Sequence, residues 1–585
     1  MGGFLLLRKK RSSPVERLEK RYRNSIAVFE KKGLKLRKKI IHQEFVLFVY
    51  DKHSFPGQDH FEFENGDFIV STGTSLYKGK TGAQALKALH QDFSHHKDIQ
   101  ANLLGNYCII LFLHDRLFLF NDYTGLYRVY CNTSKTVLSS SFLSVAKTLP
   151  QRNISKQEFF EYLFHETTYG DRTVLQGVDL LDSTQIWQIW PQTAATPQPV
   201  SFGGCTENLS FDEMVAKVSS NQIDYFQILK NVAGDSIISA LSGGYDSRLM
   251  LALMRKVGIS PHLFVYGGED SGDVKIAKAI AGGEGLELEH IDKSTFPVVT
   301  PDEYCGILEK TYYLFDGLGC TGVFDNGSDV ATRIMRANRA HFHLNGGGGE
   351  IYRSIWHIPD GKVDICKFLN YKYGPVHILE DFVDYTICGD NFDKKEYIFA
   401  LREKIKTILD TSHDWLTKQQ LLVLYSFLRH KYWMGMNHSI DNQFSYALTP
   451  YAEARFVFES FSIPMKYRSF GQFEAALIKR IDPHLAKYPS AYGFNFYDPV
   501  RWRRKVLKTV RQNLPYFLQP MIPVAQRKMK AMRFKPPFFF NGEYLQEIFE
   551  GKDLGVYQYI NIDRIKDPNM LSRVLSVELL IEDRF

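Results

Sequence analysis

Along the first 200 positions, apolar residues come in short runs dense in β-branched and aromatic side chains, each bounded by turn-forming residues. The runs are EFVLFVYD (44–51), DFIVSTG (67–73), YCIILFLHD (107–115), RLFLFND (116–122) and QIWQIWP (185–191). This pattern predicts strands. GAQALKALHQDF (82–93) and SKQEFFEYLF (155–164) instead space their apolar residues along one helical face. The front of the chain is therefore expected to be a mixed sheet-and-helix domain. PQTAATPQPVSFGG (191–204), rich in Pro, Thr and Gly, is the expected linker.

Beyond it the rhythm changes. SIISALS reads as a strand, SRLMLALMRKVG as a helix, PHLFVYGG as a strand, GDVKIAKAIAGGEG as a helix and LELEHID as a strand. Strands alternating with helices of this length predict a parallel sheet with helical crossovers. From residue 361 the pattern turns mainly helical, as in TKQQLLVLYSFLRHKYWMGM (417–436) and FGQFEAALIKRI (470–481). No internal repeat or low-complexity tract interrupts it.

At 585 residues the chain exceeds one ordinary core, so two or more domains are expected. Much of the +7 net charge sits in RKKRSSPVERLEKRYR (8–23) and KKGLKLRKK (31–39). Such runs read as solvated faces before they read as nucleic-acid sites. The seven cysteines show no CxxC pair and no metal-ligand spacing, as in a reducing compartment. GFLLL (3–7) is too short for a signal-peptide core, and no run approaches the ~20 apolar residues of a membrane span. Leu6 stands where a myristoylation signal wants Ser or Thr. A soluble, cytoplasmic protein without nucleic-acid or membrane partners is the expectation; a homodimer is left open. GTSLYKGKT (73–81) has its first glycine one residue too far upstream for a phosphate loop and reads as an exposed turn. GGEG (282–285) reads as a helix end.

The candidate chemistry lies in SIISALSGGYDSRLMLALM (236–254), where a strand runs through two glycines into a helix. In an open parallel sheet, ligands sit beyond the carboxyl ends of the strands. Ser242, Gly243 and Gly244 would let backbone amides approach an anion closely, and the helix start adds its unpaired N–H groups. Asp246 suits a Mg²⁺ ion held against phosphate oxygens, and Ser242 and Ser247 add hydroxyl donors. Together they describe a cradle for pyrophosphate and its metal.

Ser-Gly-Gly-x-Asp-Ser after a strand resembles the pyrophosphate loop of the N-type ATP pyrophosphatases. HFHLNGGGGEIY (341–352) resembles the second phosphate-side loop, Ser-Gly-Glu-Gly-Ala-Asp-Glu, of their asparagine synthetase branch. SYALTPYAEARFVFESFSIP (445–464) is similar to a later segment of that branch. The front resembles a class II glutamine amidotransferase domain through LLGNYCIILF (103–112), FNDYTGLYRVYC (120–131) and LSSSFLSVAKTL (138–149). Where that family opens Met-Cys-Gly-Ile this chain opens MGGFLLL, so Gly2 offers no thiol nucleophile. The resemblance implies an α+β Ntn-like sandwich over 1–200 with its glutaminase lost. It further implies an α/β adenine nucleotide α-hydrolase-like domain over 205–540 with a largely helical later part, and a helical tail over 541–585.

The implied activity is an ATP- and Mg²⁺-dependent amide-forming ligase. A small-molecule or peptide carboxylate would become an acyl-adenylate, captured by an amine or ammonia. The resemblance assigns nucleotide binding to Leu241, Ser242, Gly243, Gly244, Asp246, Ser247, Val265, Tyr266, Asn345 and Gly346, metal binding to Asp246 and Glu350, and catalysis to Glu350 and Lys487. Glu350 stands where the family has Asp, keeping a hard oxygen on a longer arm. Arg248 is open between a phosphate contact and a helix-surface salt bridge. β-Lactam synthetase, which also lacks the thiol, has Tyr and Glu where this chain has Gly347 and Met434. Neither of its general-base residues is therefore present. An asparagine synthase fed by external ammonia and a nucleotide-binding pseudoenzyme or partner module are the alternatives.

Overall fold

The computed structural model describes all residues except 10–13, 56, 58, 96, 200–208, 355–360, 372–384, 501, 514–535 and 553. The front of the chain builds two six-stranded antiparallel sheets. One runs Val178–Leu180, Tyr130–Asn132, Val137–Ser139, Gly3–Arg8, Phe45–Tyr50, Leu36–Ile41. The other runs Ala194–Pro197, Gln185–Trp190, Arg116–Asn121, Leu103–Leu113, Phe68–Tyr77, His60–Glu62. Alternation decides the layers: Phe4, Leu6, Phe45, Leu47 and Val49 meet Val70, Ile110, Leu117 and Ile189 between the sheets. The opposite faces are covered by helices, among them Gly82–Ser94 through Leu86 and Leu89, and Lys156–His165 through Phe159 and Leu163. The result is a helix–sheet–sheet–helix sandwich.

Two sequence readings change here, and GFLLL, given no element from the sequence alone, gains one. GFLLL is a strand buried on both faces at the heart of the first sheet. Most of GTSLYKGKT is strand, and only Lys78–Gly79 form the turn. Ala194–Pro197, inside the expected linker, pairs with Gln185–Trp190 as an edge strand, while residues 200–204 of that stretch lie outside the described residues. The basic run 31–39 is divided. Lys38 and Lys39 sit on the edge strand Leu36–Ile41, paired with Glu62 and Glu19, as charged edges discourage further strand pairing. Lys32, however, is buried against Asp316 at 2.7 Å.

The later part of the chain holds a five-stranded, wholly parallel sheet. Its order is Leu288–Ile291, His262–Tyr266, Ile237–Ala240, Phe342–Leu344, Tyr446–Leu448. Helices Tyr245–Lys256 and Gly272–Glu284 make the first crossovers, packing Leu249, Met250, Leu253, Val274 and Ile280 against the strands. Gly285 ends the second helix in the left-handed region. The chain steps outward in one direction from Ile237–Ala240, then returns to place Phe342–Leu344 on its other side. The strand order therefore reverses between these two strands, which opens a crevice at their carboxyl ends.

The stretch 417–436 is not one helix. Lys418–Tyr425 is α-helical, Ser426–Met434 widens to a π-helix, and Gly435–Phe444 is α-helical again. Groups from the front of the chain hold the wide segment: Arg128 and Thr167 donate to the Tyr432 carbonyl, and Trp433 Nε1 donates to Glu166 Oε2 at 2.6 Å. Helix Pro568–Glu582 is buried, and its Arg573 donates to the carbonyls of Leu163 and Cys320.

Candidate functional site

Two loops leave the adjacent strands at the reversal point. The first, Leu241–Gly244, starts the helix Tyr245–Lys256. Leu241 is buried, and its amide donates to the Phe264 carbonyl at 2.8 Å. Ser247 Oγ accepts from the Ser242 amide at 3.0 Å and lies 2.9 Å from Ser242 Oγ. Ser242 Oγ in turn accepts from the Gly244 amide at 3.2 Å. The Gly243 amide donates to Asp273 Oδ1 at 2.8 Å. A carboxylate thus takes one of the amides that the sequence assigned to an anion.

The second loop, 345–348, leads into a short 3₁₀ turn, Gly349–Tyr352. Asn345 Oδ1 accepts from the Gly347 amide at 2.9 Å and shapes the bend. Gly346 lies against the backbone of the first loop; a Cβ there would sit 3.4 Å from Ser247 Cα. Gly347 faces Met434, so the structure brings together the two positions at which the sequence lacks the β-lactam synthetase pair. Gly348 has φ +95°, and its α-carbon packs on buried His430. Gly349 approaches Asp246 so closely that a Cβ would lie 2.6 Å from Oδ1. The four glycines let the second loop close over the first.

That closure gathers charge. Arg353 Nη2 lies 2.7 Å from Asp246 Oδ1 and 3.6 Å from Glu350 Oε1, so the carboxylates of the two loops face one nitrogen. Arg353 Nε pairs with fully buried Glu474 at 2.9 Å. Burial pushes Glu474 well above the usual carboxylate range. Burial also raises Asp246, to about 6, although Arg353 opposes it. Burial acts on Glu350 the same way, but Arg353, the residue's own backbone amide, Arg429 and His430 together outweigh it and hold the carboxyl below its ordinary range. His430, buried beside Glu350, is pushed down to about 4 by burial and is neutral.

Val265 is buried within the neighbouring strand, and Tyr266 at its end lies under Lys293 at 4.8 Å from the ring centroid. Lys487 is exposed at the end of helix Pro483–Lys487, its ammonium 5.3 Å from the Tyr497 ring. The cation on the two carboxylates is Arg353. The stretch after Lys487 does reach the first loop, where the Ala491 amide donates to the Gly243 carbonyl at 3.0 Å. Arg248 is not on the helix surface and makes no surface salt bridge among the described residues. It is fully buried and donates to the carbonyls of Leu485, Tyr488 and Pro489 at 3.5, 2.8 and 2.7 Å, tying that stretch to the site.

The residues fit a divalent ion in donor chemistry: two hard carboxylates converge on a glycine-lined cradle. Among the described residues, no group of three or more His, Cys, Asp or Glu is spaced to hold a metal by itself. Phosphate oxygens would have to complete the shell. Asp273, Arg353, His430 and Glu474 escaped sequence reasoning. Only Glu474 left a signal, as the acid within FGQFEAALIKRI beside the apolar residues of a buried helix.

No protein-family model matches the chain, and no curated protein matches it. Among solved structures, it is similar to an allosteric regulatory enzyme of purine biosynthesis at 7% identity and TM-score 0.23, over 51% of this chain and 82% of that one. It is also similar to glutamine phosphoribosylpyrophosphate amidotransferase from B. subtilis complexed with ADP and GMP, at 8% identity and TM-score 0.22, over 49% of this chain and 65% of that one. The U34-tRNA thiolase NcsA from Methanococcus maripaludis with its [4Fe-4S] cluster is similar at 11% identity and TM-score 0.21, over 58% and 86%. Superpositions this loose decide neither fold nor chemistry. No helix among the described residues is long and apolar enough to cross a membrane.

Proposed function

We propose that the crevice binds ATP and activates a carboxylate for amide formation. One observation carries the reading: Asp246 and Glu350, on separate loops at the strand-order reversal, face a single nitrogen. An acid pair beside a glycine turn and a helix start suits the triphosphate end of a nucleotide. Val265 and Tyr266, one strand away, lie where a base would continue from it. Mg²⁺ on Asp246 and Glu350 would supply charge neutralisation at the phosphates.

In this reading the carboxylate oxygen attacks the α-phosphorus and the bond to the pyrophosphate oxygen breaks. An acyl-adenylate forms and pyrophosphate leaves. The amides of Tyr245 to Ser247, at the helix start, stabilise the leaving charge. An amine or ammonia then attacks the acyl carbon and AMP departs. Lys487 is the candidate for stabilising the tetrahedral stage, on the stretch that Arg248 ties to the loop. Gly347 and Met434 supply neither an acid nor a phenol at the two positions where β-lactam synthetase has its general-base pair.

Pyrophosphate exchange into ATP across a panel of carboxylates tests this, with Asp246→Ala as the control. Exchange that disappears in the variant supports the reading; exchange undiminished in it rejects the assignment of Asp246. The contact between Asp273 and the Gly243 amide favours a second reading, a nucleotide-binding module without turnover. That reading expects ATP to bind while no carboxylate in the panel gives exchange.

A further inference from the structure

Arg353 occupies the position between the two carboxylates that the proposed function gives to a divalent ion. We propose that Arg353 is a placeholder cation, which excludes a free divalent ion from Asp246 and Glu350 until a polyphosphate offers the guanidinium another partner. This inference rests on that reading of the site and concerns its regulation.

The geometry gives the guanidinium an inner end and an outer end. Nε is anchored on fully buried Glu474 at 2.9 Å, and the guanidinium carbon lies 5.1 Å from the Tyr245 ring centroid. The outer nitrogens face the loop carboxylates through Nη2 and the Tyr492 hydroxyl through Nη1 at 3.2 Å. Tyr492 is 42% exposed, so the outer end opens toward solvent while the inner end does not. Two loop carboxylates face the one guanidinium nitrogen there, in the place a cation of higher valence would take. A free divalent ion must break the Asp246 contact and strip the largely buried guanidinium of its shortest carboxylate partner, which is strongly unfavourable. A phosphate chain removes that obstacle, since guanidinium binds phosphate as a two-pronged donor at least as well as carboxylate. Pivoting on Glu474, Arg353 would release both acids and meet the phosphate in one movement. The divalent ion and the nucleotide would then bind with positive coupling.

The test uses the full chain and Mn²⁺ alone, read by the loss of its free electron-paramagnetic-resonance signal. Arg353→Met should bind Mn²⁺ about tenfold more tightly than wild type without nucleotide, and adding Asp246→Asn should erase the gain. Arg353→Lys, a compact point charge without the fork, should fall between them and serves if the Met variant melts early. A folded Arg353→Met or Arg353→Lys with wild-type Mn²⁺ affinity overturns the proposal, as does a gain that survives Asp246→Asn. Because this arm contains no nucleotide, it stands apart from the parent reading. Failure of wild type to bind a fluorescent ATP analogue with Mn²⁺ would sink the parent reading alone.

Discussion

The two loops of the crevice are built on opposite principles. The first closes on itself: Ser242, Gly244 and Ser247 exchange hydrogen bonds within six residues, and one outside carboxylate, Asp273, completes the turn. The second is shaped almost entirely by distant residues. Gly347 meets Met434, Gly348 meets His430, and Gly349 meets Asp246 and Glu474. A self-contained turn can be inferred from its own letters. A loop defined by what presses on it from 80 to 130 positions away cannot, and it is the one that brings the second acid to the first.

The difference is most sharply broken at Gly349. A Cβ there would lie 2.6 Å from Asp246 Oδ1 and 3.0 Å from Glu474 Oε1, so Gly349→Ala must push the acids apart or lift the loop. The expected destabilisation is about 2–3 kcal/mol in denaturant melts, with loss of any Asp246-dependent pyrophosphate exchange. Gly348→Ala combines a left-handed φ with His430 Nε2 2.9 Å from the new carbon and should cost nearly as much. Melts within 0.5 kcal/mol of wild type for both would show that the second loop is not set by these contacts.

A subtler probe is pH. Asp246 titrates near 6 in the fold, raised from 3.8 chiefly by burial. Between those values the folded chain keeps a proton that the unfolded chain has released. This group's contribution therefore makes stability fall as pH rises from about 4 to about 6. Glu474, also raised by burial, acts in the same direction, whereas Glu350, held low by Arg353 and its other charged neighbours, acts in the opposite direction at more acid pH. Asp246→Asn should flatten the pH 4–6 portion of urea-melt stability. A slope identical to wild type would mean that the carboxyl is not buried as described.

Local pattern made the strands and crossovers legible because their periodicity is written in neighbouring residues. It failed where the cause was remote. GFLLL, without alternation, resembles a buried helix as much as a strand, and only pairing with Phe45–Tyr50 and Val137–Ser139 makes it the middle of a sheet. The widening at Ser426–Met434 leaves no trace in TKQQLLVLYSFLRHKYWMGM, since the groups that hold it, Arg128, Glu166 and Thr167, come from more than 250 positions earlier in the chain. Charged residues misled in the same way. Arg248 reads from the sequence as a phosphate or surface contact, yet it serves three carbonyls in the interior. Lys32 belongs to a basic run yet neutralises Asp316 under cover. For the site, the first acid was visible as a motif and the second by resemblance. The arginine between them was invisible because nothing near residue 353 says which carboxylates it will meet.

The smallest expected effect lies in the first loop, and it tests whether that turn is self-contained. At Gly244 a Cβ would meet nothing nearer than Ser242 Oγ at 3.4 Å, an ordinary contact. Gly244→Ala should therefore stay within about 0.5 kcal/mol of wild type. At Gly243 the new carbon would lie 2.9 Å from Ile276 Cδ1 and 3.0 Å from the Ala491 amide nitrogen. The isoleucine can turn away, but the backbone of the 482–496 stretch cannot do so without loosening its hydrogen bond to the Gly243 carbonyl. Gly243→Ala should cost about 1 kcal/mol and expose the Tyr488–Phe496 stretch to faster proteolysis. Equal costs at the two positions would mean that this stretch does not rest on the loop as described, and the first loop would then owe its shape to its own hydrogen bonds alone.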